Sequence, residues 1–140
     1  MEITKEHSCS PRAMKAYLDR VTGPRFEELG ITTASAPFLA EIAHNEGISL
    51  KGLTDLVMVD KAHTTRVVSK LIESGLVENR AQGHEYSLYL TEEGTVKAER
   101  AMEIIGDAWK SMFRDLTPEE VDALNIILQK VSNVIKEASV

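Results

Sequence analysis

Three observations predict a mainly α fold with one small β-hairpin. Apolar residues recur at helical spacing along most of the 140 residues. Just after Gly75 the period changes to the alternation of a strand, in Leu76 and Val77 and then in Tyr86, Leu88 and Leu90. Capping residues stand ahead of most of the apolar runs.

The first run, Ala13 to Leu29, carries Met14, Tyr17, Leu18, Val21 and Phe26. Gly23-Pro24 lies within it and is expected to kink or divide the helix, because proline removes an intrahelical hydrogen bond. A second helix starts near Ser35, has Pro37 in its first turn and runs to Gly47 as its C-cap. Ser49 caps a short third helix, LKGLTDLV, which ends near Met58. Asp60 caps a fourth, Lys61 to Ser74, closed by Gly75. The hairpin then turns at Gln82-Gly83. Thr91 caps a long fifth helix with Val96, Met102, Ile105, Trp109 and Phe113 among its apolar positions. Thr117, Pro118 and Glu120 open the last helix with a capping box and a proline at the first helical position. Its apolar stripe is Val121, Leu124, Ile127, Leu128, Val131, Val134 and Ile135.

Two short helices joined by a tight turn and followed by a hairpin make a winged helix-turn-helix. The expected organisation has three parts: residues 1–34 as an N-terminal dimerisation helix region, 35–91 as the winged helix-turn-helix lobe, and 92–140 as C-terminal dimerisation helices. So small a lobe cannot cover two helices as apolar as the last two, so a homodimer is expected. Its interface is assigned to Met14, Tyr17, Trp109, Phe113, Val121, Leu124, Leu128, Val131 and Ile135.

Composition agrees with this class. Hydrophobic residues at 43% and charged ones at 27% are ordinary for a soluble globular chain. A chain of this length buries roughly 68–70% of its unfolded surface, so no metal or disulfide staple is required. The single cysteine, Cys9, cannot close an internal disulfide, which favours a reducing compartment. There is no apolar run long enough to span a membrane, and the leader MEITKEHSCSPRAM has no signal-peptide core. A cytoplasmic protein without membrane partners is expected. The net charge of −6 argues against general nucleic-acid binding. Its distribution does not: Lys51 to His84 holds five basic and four acidic residues, leaving the rest at −7.

The fourth helix can be read face by face at 100° per residue. Thr64, Val68, Leu71 and Gly75 fall on one side, with Val67 nearby, and should pack inward. Ala62, Arg66 and Ser69 lie opposite, flanked by His63, Thr65 and Lys70. That face suits a major groove. Arg66 has the reach for a bidentate contact with guanine, Thr65 and Ser69 can meet base edges or phosphates, and Ala62 can meet a thymine methyl. Backbone amides near Lys61 are disposed to hold a phosphate. Any helix has a polar face, so this signal alone is weak. Its place between a capped short helix and a hairpin, in the only net-positive stretch, gives it weight.

The stretch VDKAHTTRVVSKLIESGLVENR, followed by LYLTEEG, resembles the MarR family of dimeric winged-helix transcriptional regulators. The matching positions are Asp60, Lys61, Arg66, Leu71, Gly75, Leu76, Val77, Leu90, Thr91 and Gly94, and the resemblance runs from about Leu29 to the C-terminus. It implies a homodimer on a pseudo-palindromic operator in double-stranded DNA, acting as a repressor. It also implies a small-molecule effector in the cleft between lobe and dimer interface. On this resemblance the DNA contacts are Lys61, Ala62, His63, Thr65, Arg66, Ser69, Lys70 and Lys51, with Arg80 at the wing base and His84 near its tip. The Asp-x-Arg element usual at the family's wing tip is missing here, and the wing is shorter.

Other chemistry finds little support. His7, His44, His63 and His84 form no metal-ligand pattern, and the E-x-x-H pair Glu41 and His44 has no second copy. Cys9, flanked by His7 and Arg12, could serve as a redox thiol but sits in a leader expected to fray, so an inert thiol is expected. Trp109, Met112 and Phe113 read as interface rather than ligand box. Neither a glycine-rich phosphate loop nor a nucleophile elbow nor a paired catalytic carboxylate occurs, so neither an enzyme nor a cofactor is expected. The rival reading is a winged-helix interaction or dimerisation module without specific DNA binding.

Overall fold

The computed structural model describes residues 9–138; His7 lies outside them. Six helices and one hairpin follow in the order α1 (Pro11–Leu29), α2 (Ala36–His44), α3 (Leu50–Val57), α4 (Lys61–Glu73), β1 (Val77–Asn79), β2 (Leu88–Leu90), α5 (Glu92–Met112) and α6 (Pro118–Ala138). This is the mainly α winged helix-turn-helix expected.

Local chemistry accounts for most boundaries. Ser49, Asp60 and Thr91 each accept the backbone amide three residues on, the geometry of an N-cap. At the start of α6 the Thr117 amide donates to Glu120 Oε1 while the Glu120 amide donates to Thr117 Oγ1, a complete capping box. Gly75, with φ of 75°, takes the left-handed position after α4, and the Leu76 amide closes back onto Leu71 O.

Four expectations are corrected. Gly23-Pro24 does not divide α1, which is one helix with Pro24 inside it. A residue before proline is normally pushed out of the helical region by its Cβ, and Gly23 has none. Pro24 is also exposed, so water can serve the carbonyl its missing amide leaves behind. Secondly, Ser35 gives no cap bond to α2; its hydroxyl accepts from the Thr32 amide while its own amide donates to Thr32 Oγ1, placing the capping one turn earlier. Thirdly, α2 ends at His44 with Asn45 as its C-cap, and Gly47 lies beyond it, donating its amide to Leu88 O at 2.7 Å. The hairpin is the fourth case. Pairing stops at Asn79 opposite Leu88, and Tyr86 lies outside the strand. Asn79 Oδ1 accepts from the amides of Ala81 and Ser87, so a broad wing replaces a two-residue turn at Gln82-Gly83. An unforeseen bridge of Ile48 to Leu88 adds a third extended segment.

The core draws Phe38, Leu39 and Ile42 of α2 together with Leu53, Val68, Leu71, Val77 and Leu88 of the helix-turn-helix and hairpin. Phe26 of α1 and Ala98, Ala101 and Ile104 of α5 join it. The buried face of α5 is therefore mostly its small residues, with Ile104, whereas Val96 is 58% exposed. Gly94 shows why: a Cβ there would stand 1.8 Å from Leu76 O. The Thr91 amide also donates to Leu76 O, and Thr91 Oγ1 to Gly75 O, so the start of α5 is seated on the end of α4. In contrast, α6 buries no described residue.

Candidate nucleic-acid interface

Helix α4 is held at its start and along its inward face. Asp60 Oδ1 accepts the His63 amide at 2.7 Å at its start. Thr64, Val68 and Leu71 are buried, as expected of the inward face, with Val67 half-buried. Gly75 lies past the end of the helix and is exposed, so it belongs to the exit turn rather than to the inward face.

The opposite side is open. Ala62, Thr65, Arg66, Ser69 and Lys70 are all exposed, together with Lys61. The Thr65 hydroxyl donates to Lys61 O at 2.9 Å, which leaves its oxygen lone pairs outward as acceptors. Among the described residues, Lys61, Arg66 and Lys70 have no carboxylate partner, as is also true of Arg12, Arg20 and Lys110, whereas Lys15, Arg25, Lys97 and Arg100 of α1 and α5 are each paired with one. Arg66 and Lys70 on that face, with Lys61 exposed at the helix start, have no internal partner and concentrate positive charge locally on an acidic chain.

His63 sits differently from its neighbours. It is half-buried, with its ring 5.9 Å from that of Phe38 and tilted by 46°. It forms the edge of the face and packs against α2. A cleft of about 300 Å³ runs beside it, between α4 and the segment after α1, bordered by Ile31, Ser35, Arg66, Val67 and Lys70. Sequence reasoning had no sign of this cleft, because its two walls are 30 residues apart in the chain and meet only through the core.

Lys51 is exposed on α3, and His84 is exposed in the wing. Arg80 is exposed but not free: its guanidinium pairs with Glu78 Oε1 at 2.5 Å and lies 4.2 Å from the Tyr89 ring centroid. Glu78 and Tyr89 are cross-strand partners, which explains how one arginine reaches both. Their role was missed because it depends on strand register.

The terminal helices form a second surface. Met14 and Tyr17 are half-buried, and the Tyr17 hydroxyl is hydrogen-bonded to Ser111 Oγ across α1 and α5. Trp109 and Phe113 stack with centroids 5.6 Å apart. With Val121, Leu124 and Leu128 they line an apolar groove of about 340 Å³ between α5 and α6. Val131 and Ile135 continue that stripe at 47% and 44% exposure.

The model of the MarR family matches residues 29–85, from the end of α1 to the wing. A MarR protein from Peptoclostridium difficile is 25% identical, with a TM-score of 0.80 over 99% of this chain and 95% of that one. The reduced form of MarR from E. coli is 27% identical, with a TM-score of 0.72 over 86% and 91%. The segment from the end of α1 to the wing thus matches the MarR family, and the fold over nearly the whole chain is that of MarR structures. A putative MarR family regulator from Listeria monocytogenes, solved with a 26mer DNA, shares the fold with a TM-score of 0.83, 22% identity and coverage of 97% and 93%. No curated protein sequence matches. The fold is thus that of a family of transcriptional regulators, and no helix among the described residues is long and apolar enough to cross a membrane.

Proposed function

We propose that this protein is a homodimeric MarR-family regulator that binds double-stranded DNA through α4 and represses transcription from a pseudo-palindromic operator. The observation that carries the reading is the outer face of α4, where Arg66 and Lys70 stand exposed without internal partners, with Lys61 exposed at its start, on a helix fixed by its cap and core face. Arg66 is the base-reading residue, since it combines charge, reach and an outward position; Lys61 and Lys70 meet phosphates. Ala62, Thr65 and Ser69 complete the face, His63 borders it, and Lys51, Arg80 and His84 contact the flanking backbone. The DNA bound by the Listeria relative supports the same use of the fold.

Residues 35–91 act as the DNA-reading lobe, and the helices outside them join two copies, so that two α4 helices fall in successive major grooves. The exposed stripe of α6 and the Trp109–Phe113 groove support this assembly. A small apolar effector fits the cleft of about 190 Å³ between α1, α2 and α5, bordered by Thr22, Phe26, Ala36, Ile105 and Trp109. That position touches both the lobe and the terminal helices, so filling it changes the spacing of the two α4 helices.

The test is selection of bound duplexes from random DNA, followed by binding across a salt series. The expected result is a pseudo-palindromic site whose affinity falls steeply with salt, because phosphate contacts release counterions. Binding no tighter than to scrambled duplex, with weak salt dependence, would instead favour a protein-interaction module.

A further inference from the structure

Among the described residues three polar side chains are buried: Thr22, Ser35 and Thr64. The first two bond within their own segments, Thr22 to Leu18 O and Ser35 to Thr32. Thr64 alone reaches another helix. Its hydroxyl, fully buried in the first turns of α4, lies 2.8 Å from Thr54 Oγ1 on α3. Thr54 Oγ1 is also 2.7 Å from Leu50 O, and Thr64 Oγ1 is 3.1 Å from Asp60 O. This chain of four oxygens has three short separations and two hydroxyl protons. Two hydroxyl oxygens at 2.8 Å need a proton between them, so one of the two donates across the helix pair in either direction. The other then donates to a carbonyl of its own helix. Thr54 further closes the turn through its carbonyl, which accepts the Met58 amide at 2.9 Å.

We propose that the Thr54–Thr64 hydroxyl pair is a positioning latch that sets the rotation of α4 against α3, and thereby which side chains of α4 face DNA. The proposal rests on the reading of α4 as the DNA-contacting helix. Apolar packing by Leu53 and Val68 holds the helices together but is non-directional; a hydrogen bond between defined atoms fixes their rotation. Removing either hydroxyl leaves the other free to donate to its own carbonyl. Neither change strands a buried donor, so loss of the latch is separable from loss of the fold.

Valine and serine substitutions divide the two roles in the full-length protein. Thr64→Val and Thr54→Val keep the packing volume and lose the hydroxyl; Thr64→Ser and Thr54→Ser lose a methyl and keep it. The valine variants should lose no more thermal stability than one net hydrogen bond accounts for. Their preference for the duplex selected by the wild type over a scrambled one should fall by roughly three- to tenfold, the weight of one net hydrogen bond. The double valine variant should fall no further than either single one, since all three lose the same bond. The serine variants should melt lower and retain the preference. A preference that follows the thermal midpoint rather than the hydroxyl overturns the latch. Amide exchange over Met58 to His63, measured without DNA, should quicken in the valine variants alone; unchanged exchange there also overturns it. A wild type that prefers no duplex refutes the DNA reading, and the exchange experiment then still decides the latch.

Discussion

Helix α4 buries Thr64, Val68 and Leu71 against its own chain, whereas α6, with the longer apolar stripe, buries no described residue. Both are amphipathic, and both begin with a good capping residue. The difference lies in which face is left outside. On α4 it carries Thr65, Arg66, Ser69 and Lys70, a polar and cationic surface suited to a polar, anionic partner. On α6 it carries Ile127, Leu128, Val131, Val134 and Ile135, each 44–64% exposed. Apolar area on that scale marks an interface. On the proposed function the two helices meet two kinds of partner, DNA for one and a second copy for the other. Predicted effects that break one surface and spare the other test that division.

The largest effect is expected on α6. Leu124→Asp with Leu128→Asp places two carboxylates in the apolar groove beside Trp109 and Phe113. Sedimentation at micromolar concentration should show twice the 15.5 kDa chain mass for the wild type and a monomer for the variant. A monomeric wild type would break the comparison at once. Gly94→Ala comes next, and it acts on the seat that α4 and α5 share. Its Cβ would meet backbone at Leu76 O, which cannot swing away as a side chain can. Urea unfolding at fixed protein concentration should show a loss of about 3 kcal/mol.

The element order and most caps were legible in the sequence because they are local. Asp60, Ser49, Thr91 and Thr117 bond to residues three positions away, so the partner is visible in the same few letters. The outer face of α4 was legible for the same reason: helical period fixes which residues share a side. The contacts that stayed hidden join distant segments. His63 packs on Phe38, Ile48 bridges to Leu88, and Arg80 lies on Tyr89, each set by tertiary packing or strand register. On α5 the large residues drew the eye, but close approach to α1 and α2 put Ala98, Ala101 and Ala108 inside. In α1 the proline was visible, and what decided the outcome was the missing Cβ of the glycine before it.

Within the α4 surface, Arg66 and Lys70 should separate. Arg66→Ala should cost about 1–3 kcal/mol on the selected duplex and relax the preference at one base pair per half-site. Lys70→Ala should weaken selected and scrambled duplexes alike, and lower the salt slope by about one unit per site. Both variants should remain dimeric, because neither residue touches the terminal helices' groove. If Arg66→Ala binds both duplexes as the wild type does while folded and dimeric, α4 is not the reading helix.

The smallest effect is expected at the wing, and it asks whether the cations of α4 differ from the one cation that is paired nearby. Arg80 is tied to Glu78 at 2.5 Å, and both side chains are about half exposed. Water and salt screen such a pair, so it contributes under about 1 kcal/mol to the fold. Its consequence for binding is larger in sign than in size. A phosphate approaching Arg80 must compete with the Glu78 carboxylate and is itself repelled by it. Glu78→Gln removes that repulsion, while Tyr89 still supports the guanidinium from the strand beside it. Binding of selected and scrambled duplexes should therefore tighten together, by roughly two- to threefold at low ionic strength, and the gain should fade as salt is raised. Arg80→Ala in the same background should abolish the gain. If Glu78→Gln tightens binding equally when Arg80 is alanine, the carboxylate acts on the phosphates directly, and Arg80 has no contact of its own.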